Sequence, residues 1–228
     1  MFFDYYYIVL VLPMVLLAFG AQLLVKSSYS KYSKVRNKRG ITGAEAAETV
    51  LRENGVHGVR VERVRGELSD HYDPKADVIR LSDGVYSGTS VAAVGIACHE
   101  AGHALQYHKE YSPIKLRMAM IPVCNAASTL SFPLVLIGII FSYHPIAVLG
   151  VAAFAVATLF QLITLPVEFN ASKRAVETVR SSGLLYGDEI NGAKKVLTAA
   201  ALTYVAALAV SLANLLRLFF IVGGRNRD

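Results

Sequence analysis

The sequence predicts an α-helical integral membrane protein with about four transmembrane helices and a small α+β domain on the cytoplasmic side. Three observations predict it. Of 228 residues, 54% are hydrophobic and 18% charged, against roughly 45–50% and about 25% in soluble domains. The apolar residues gather into runs that reach the length a bilayer crossing needs, about 20 residues. The cations behind the net charge of +6 flank those runs. They form no patch interleaved with aromatics, so they suit a membrane surface and not nucleic acid. Cys98 and Cys124 are too few for a disulfide framework, have no CxxC spacing, and read as small apolar residues.

The first run, "YYYIVLVLPMVLLAFGAQLLV", predicts a transmembrane helix over 5–25 with Pro13 as a kink. No basic region precedes it and Asp4 is its charged neighbour, so it reads as a retained span and not a cleaved signal. Lys26, Lys31, Lys34, Arg36, Lys38 and Arg39 follow before any acid. A solvated linker is the plain reading of that stretch. Its charge also orients the chain, with the N-terminus outside and residues 26–117 in the cytoplasm.

Within 26–117, "TGAEAAETVLREN" predicts a helix. Thr42 is its N-cap, Glu45 stands three residues on as in a capping box, and Asn-Gly stops it. "VHGVRVERV" alternates as a strand does. "ELSDHYDPKADVIRLSDG" predicts two extended pieces around a Pro-Lys-Ala-Asp turn. "VAAVGIACHEAGHALQYHKE", Val91 to Glu110, predicts the next helix.

From Met118 to Val167 there is no Asp, Glu, Lys or Arg. Two spans fit there, 118–141 and 145–166, broken at "FSYHPI", where Pro145 disfavours helix in the residue before it. Pro122, Asn125, Ser128, Thr129, Ser131 and Pro133 suit a span packed on protein. Residues 167–195 return to the cytoplasm, and 196–222 form the fourth span, with Arg217 placed to snorkel. Both termini are then outside. Arg225 and Arg227 fall on that outer side against the charge rule, outweighed by the six cations above and by Lys115, Arg117, Lys173, Arg174, Lys194 and Lys195.

The Val91–Glu110 helix carries the chemistry. His99 and His103 are four residues apart, hence on one helical face. Two imidazoles so placed can converge on one Zn²⁺ at about 2.0–2.1 Å each. Glu100, turned aside from that face, can reach a water on the metal, whose pKa zinc lowers towards 7, and take its proton. This is the HExxH pattern. The eight residues before His99 are uncharged, and Ala101 and Gly102 are small enough for another element to approach closely. Burying three ionisable groups without a partner is costly, which weighs against a helix whose histidines merely make ordinary hydrogen bonds.

A catalytic zinc takes three protein ligands and keeps one position open. His71, His108, the acids of "SDHYDP" (Asp70 and Asp73) and Glu168 are candidates for the third. His108 lies on a different face from His103, and the SDHYDP residues also read as a polar turn. Glu168 is the strongest, because it is the first charged residue after the 118–166 hairpin returns to the side of HEAGH. It also reads as an interfacial acid capping the span.

"LSDHYDP", Leu81–Ser82, "HEAGHALQ" and "LPVEFNASKRA" resemble, in order and over most of the chain, the YugP-type neutral zinc metallopeptidases of bacterial membranes. More distantly, HExxH, a membrane hairpin and then "EF" resemble the HtpX-type and CaaX prenyl proteases. The resemblance implies a gluzincin-like peptidase with one catalytic Zn²⁺. His99, His103 and Glu168 would be its ligands and Glu100 its general base, acting on a peptide or membrane-protein substrate. The HtpX-type pattern has an aspartate four residues after the ligand glutamate. Here that position is Ser172, with Asn170 two residues on, so the partners of the zinc histidines stay unassigned. In the related proteases a strand before the HExxH helix pairs its edge with substrate, and "DVIRLS", Asp77–Ser82, is in the corresponding place.

Two other readings compete. An intramembrane protease of the site-2 type takes its third ligand from an acid inside a later span, and none lies there. A non-catalytic membrane scaffold would not need an intact HExxH together with Glu168. Tyr72, His71, Tyr107 and Arg174 are all candidates for stabilising an oxyanion.

Overall fold

The chain runs through a π-helical turn (Tyr7–Val11), α1 (Leu12–Tyr32), α2 (Gly43–Glu53), β1 (Arg60–Val64), β2 (His71–Asp73), β3 (Val78–Ser82), α3 (Asp83–Tyr86), α4 (Val91–His108), α5 (Ser112–Ile140), α6 (His144–Ser181) and α7 (Asp188–Gly224). The structure is a computed structural model and describes residues 4–224. Arg225 and Arg227, whose charge weighs against the expected topology, lie outside the described residues. Among those residues four helices are long and apolar enough to cross a membrane: Tyr7–Tyr32, Ser112–Ile140, His144–Ser181 and Asp188–Gly224.

The helices outlast the apolar runs that predict them. α6 passes through Pro166 and ends at a Schellman motif, in which Leu184 N–H donates to Val179 O and Gly183 N–H to Arg180 O, with Gly183 left-handed at φ +59°. The basic stretch after the first run is only partly a linker. α1 continues to Tyr32, and the buried Asn37 donates its side-chain amide to the Ile41 and Thr89 carbonyls.

The chain forms two compact units. One contains the described residues up to Ala21, Lys115–Leu165 and those from Thr203 on. It is made of apolar helix. α5 and α6 turn back on each other through Phe141–Tyr143 and pack where side chains are smallest. A Cβ on Gly138 would lie 2.3 Å from Ala147 N, and one on Gly150 would lie 2.6 Å from Val135 N. Without a hydrophobic drive between helices in lipid, such small-residue contacts are how spans associate. Thr158 and Ser211 hydroxyls meet at 2.9 Å. Arg217, expected to snorkel, instead donates through Nε and Nη2 to Asp4 Oδ2 at 2.9 and 2.6 Å, over the ring of Tyr7. Leu16, Phe19, Phe132, Leu149 and Phe219 point outward, as lipid-facing side chains would.

The other unit comprises Gln22–Ile114 and Pro166–Leu202. α2 begins with the expected capping box: Thr42 Oγ1 accepts from Glu45 N–H while Glu45 Oε2 accepts from Thr42 N–H. The sheet has the order β1-β3-β2, β1 parallel to β3 and β2 antiparallel to it. Its core is built from Val50, Leu51, Ile79, Leu81, Val94, Leu105, Val179 and Leu185.

The order of the strands corrects one expectation. β3, the "VIRLS" strand, is the central strand, paired with β1 over Val78–Ser82 and with β2 over Val78–Arg80, so it is not the open edge an extended peptide would need. The reason is visible in its side chains. Val78, Ile79, Leu81 and Ser82 are all buried, whereas β1 and β2 have exposed positions, as edges do.

Candidate metal centre

α4 is capped by Ser90, whose hydroxyl accepts from Ala93 N–H, and runs buried over most of its circumference. A helix apolar all round belongs inside a core, and its small residues let neighbours in. Gly95 faces Ala193 of α7, where an added Cβ would lie 3.2 Å from the Ala193 Cβ. Gly102 faces the backbone of Ala171 on α6, where an added Cβ would lie 2.9 Å from the carbonyl oxygen. That second approach matters most, because Gly102 adjoins His103, and Ala171 is one turn beyond Glu168.

The result is a cluster of three donors in one compact unit. One ligand atom from each of His99, His103 and Glu168 lies within 4.8 Å of the others. Glu168 Oε2 is 3.4 Å from His99 Nε2 and 3.6 Å from His103 Nε2. Tetrahedral bonds of about 2.0–2.1 Å place ligand atoms about 3.3–3.4 Å apart. The measured separations therefore suit donors arranged around one small ion, and the set of two imidazoles and a carboxylate is one zinc accepts. Glu168 is 2% exposed, and His103 and Glu100 are 8% exposed. Burial opposes a charge on His103, but its hydrogen bond to Glu168 and the charges of Glu100 and Glu168 outweigh it, so its pKa lies above the ordinary histidine value.

The far sides of both imidazoles are held. His99 Nδ1 lies 3.2 Å from Ser172 Oγ, and His103 Nδ1 lies 3.0 Å from Gln106 Oε1. Ser172, which stands where the HtpX-type pattern has an aspartate, itself makes the contact. Gln106 is not among the residues the sequence singles out, although it sits in "HEAGHALQ" three residues after His103. A polar amide in an otherwise apolar helix, on the face of the second histidine, was the available signal.

The other residues considered as third ligand are spent elsewhere. Asp70 accepts from the backbone and hydroxyl of Ser82. Asp73 pairs with Arg80 at 2.8 Å, and His71 Nε2 is 3.5 Å from the same guanidinium. His108 Nε2 pairs with Asp77 at 3.0 Å. Of the oxyanion candidates, Tyr72 donates its hydroxyl to Asp77 and packs on Tyr107, and Arg174 donates Nε to Asn170.

Residues 7–223 match the model of a family described as "Putative neutral zinc metallopeptidase". The chain is also 50% identical over 213 residues to "Putative membrane protease YugP" of Bacillus subtilis (strain 168), covering 93% of this chain and 95% of that relative. No solved structure matches.

Proposed function

The chain belongs to the neutral zinc metallopeptidase family, and from that premise we propose that it is a membrane-embedded endopeptidase working at the cytoplasmic face. His99, His103 and Glu168 are its zinc ligands and Glu100 is its general base. The observation that carries this reading is the convergence of the three donor atoms within 4.8 Å, two from α4 and one from α6. When bound, zinc polarises the scissile carbonyl and acidifies the attacking water. The chain's own residues do the rest. The two imidazoles present Nε2 on the side shared with the Glu168 carboxylate, where their lone pairs would be available to the metal. Glu100, next to the first histidine on the same helix, takes the proton of the attacking water and passes it to the leaving amine.

The side of the membrane rests on charge. Lys26, Lys31, Lys34, Arg36, Lys38 and Arg39 follow the first apolar run directly, the bias that keeps a segment inside. The soluble part is then 26–117 with 167–195, and the spans are 5–25, 118–141, 145–166 and 196–222. The substrate class is a peptide or a membrane protein presented at that face.

Two variants test the reading together. Glu100→Gln abolishes peptide hydrolysis and keeps stoichiometric zinc. Glu168→Ala lowers zinc content and activity in parallel. A wild-type protein purified without zinc, or a Glu168→Ala protein with full metal and activity, refutes the assignment.

A further inference from the structure

Gln106 has no exposed surface and no role in the chemistry above, yet all of its polar atoms are used. Its Oε1 accepts from His103 Nδ1 at 3.0 Å. Its Nε2 donates to the Val167 carbonyl at 2.8 Å and to Asn170 Oδ1 at 3.0 Å. Asn170 Oδ1 accepts in turn from Arg174 Nε at 2.7 Å. This chain has one consistent direction. Arg174 can only donate, so the Asn170 oxygen faces it, and Nε2 of Gln106 must face that oxygen and the Val167 carbonyl. The Gln106 oxygen is left facing His103, whose proton is thereby held on Nδ1. Nε2 of His103, 3.6 Å from Glu168 Oε2, is then the nitrogen left free to ligate a metal.

Val167 is the residue before Glu168. One carboxamide therefore grips the second histidine of α4 and the backbone beside the carboxylate of α6. We propose that Gln106 is a positioning residue of the metal centre. It fixes the tautomer of His103 and the spacing between His103 and Glu168, and it does so without a charge. With Ser172 at His99, both histidines are oriented by neutral groups. Carboxylate partners raise the basicity of a ligand imidazole. Neutral ones leave the pair weaker as donors and more dependent on geometry, so the geometry is held by the Gln106 bridge.

This inference rests on the ligand set proposed above, and zinc affinity separates the two. Full-length protein in detergent is titrated with zinc against a chromogenic chelator, and with Co²⁺ for its visible spectrum. Gln106→Met keeps the volume and removes all three hydrogen bonds. It is expected to lower zinc affinity about 10- to 100-fold and to change the Co²⁺ spectrum. Gln106→Glu keeps the acceptor for His103 but sets a carboxylate against two acceptors, and is expected to lose affinity as well. Asn170→Ala, which touches no ligand, is expected to lose a few-fold and to shift the same spectrum in the same sense. This variant carries the test if Gln106→Met does not fold. Wild-type affinity and spectrum in a folded Gln106→Met or Asn170→Ala protein overturn the inference. A wild-type protein that binds no zinc instead overturns the ligand set.

Discussion

Replacing Gly102 by alanine tests whether the approach of α4 to α6 sets the metal centre. The added Cβ would lie 2.9 Å from the Ala171 carbonyl oxygen and 3.4 Å from its carbonyl carbon and Cα. All three are backbone atoms, so no rotamer relieves the contact, and ordinary separation requires about 0.5 Å of movement between the helices. His103 is the next residue on one helix, and Glu168 lies one turn before Ala171 on the other. Metal–ligand distances tolerate about 0.2 Å, so the shift exceeds what the centre absorbs. Stability changes less. Alanine favours helix over glycine by about 1 kcal/mol, which offsets part of an overpacking cost of about 1–3 kcal/mol. We expect zinc affinity to fall at least about tenfold, or about 1.4 kcal/mol, while the unfolding midpoint without metal moves by only a few degrees. Chelator competition and thermal unfolding in detergent read the two quantities. Gly20→Ala is the control, because nothing lies within 4 Å of its added Cβ. Wild-type zinc affinity in Gly102→Ala would refute the reasoning.

Other perturbations separate other parts of the molecule. Thr42→Ala removes the hydroxyl half of the capping box, leaving the backbone N–H of residue 42 on Glu45, and should cost about 1 kcal/mol, read as a lower unfolding midpoint with zinc affinity unchanged. Arg217→Met strips Asp4 of its partner in a mostly buried pair and should destabilise by about 1–3 kcal/mol. Adding Asp4→Asn should recover part of that loss, and strict additivity of the two would show that the ion pair contributes nothing. Burial opposes the charge of Asp77, but hydrogen bonds from His108 and Tyr72 outweigh it and hold its pKa below the ordinary carboxylate value. Such a group adds stability above its unfolded pKa and loses it as pH falls through the folded one. The β2–β3 hairpin should therefore loosen from the end of α4 below about pH 4. Asp77→Asn, tolerated at a φ of +50°, should remove that acid dependence in hydrogen exchange of residues 71–82.

Much of this was written locally. The cap of α2 is spelled by Thr42 and Glu45, four residues of contiguous chain. His99 and His103 share a face because helical geometry puts them there, and long apolar runs make long helices whatever surrounds them. What was not legible depended on partners far along the chain. Alternation makes "VIRLS" a strand but does not say which strands flank it, although its nearly continuous burial is a central strand's signature. Arg217 reads as snorkelling until Asp4, 213 positions away, is placed beside it. Ser172 reads as a missing aspartate when only a charge is expected there, while a hydroxyl fills the same place beside His99. Gln106 is hard to single out in sequence because an amide carries no titratable signal, and two of its three partners, the Val167 carbonyl and Asn170, meet it only when α4 and α6 are together.

The unit that holds the donor cluster is discontinuous, built from Gln22–Ile114 and Pro166–Leu202. During synthesis both histidines and Glu100 emerge well before Glu168. At about 5–20 residues per second, the carboxylate follows His103 by roughly 3–13 s. In that interval a nascent chain holds a two-donor half-centre, and a chain broken off within the intervening hairpin holds it permanently. On the proposed ligand set, this peptidase is thus assembled with its last ligand withheld until the hairpin between the two halves has been made, so unfinished copies are born inert.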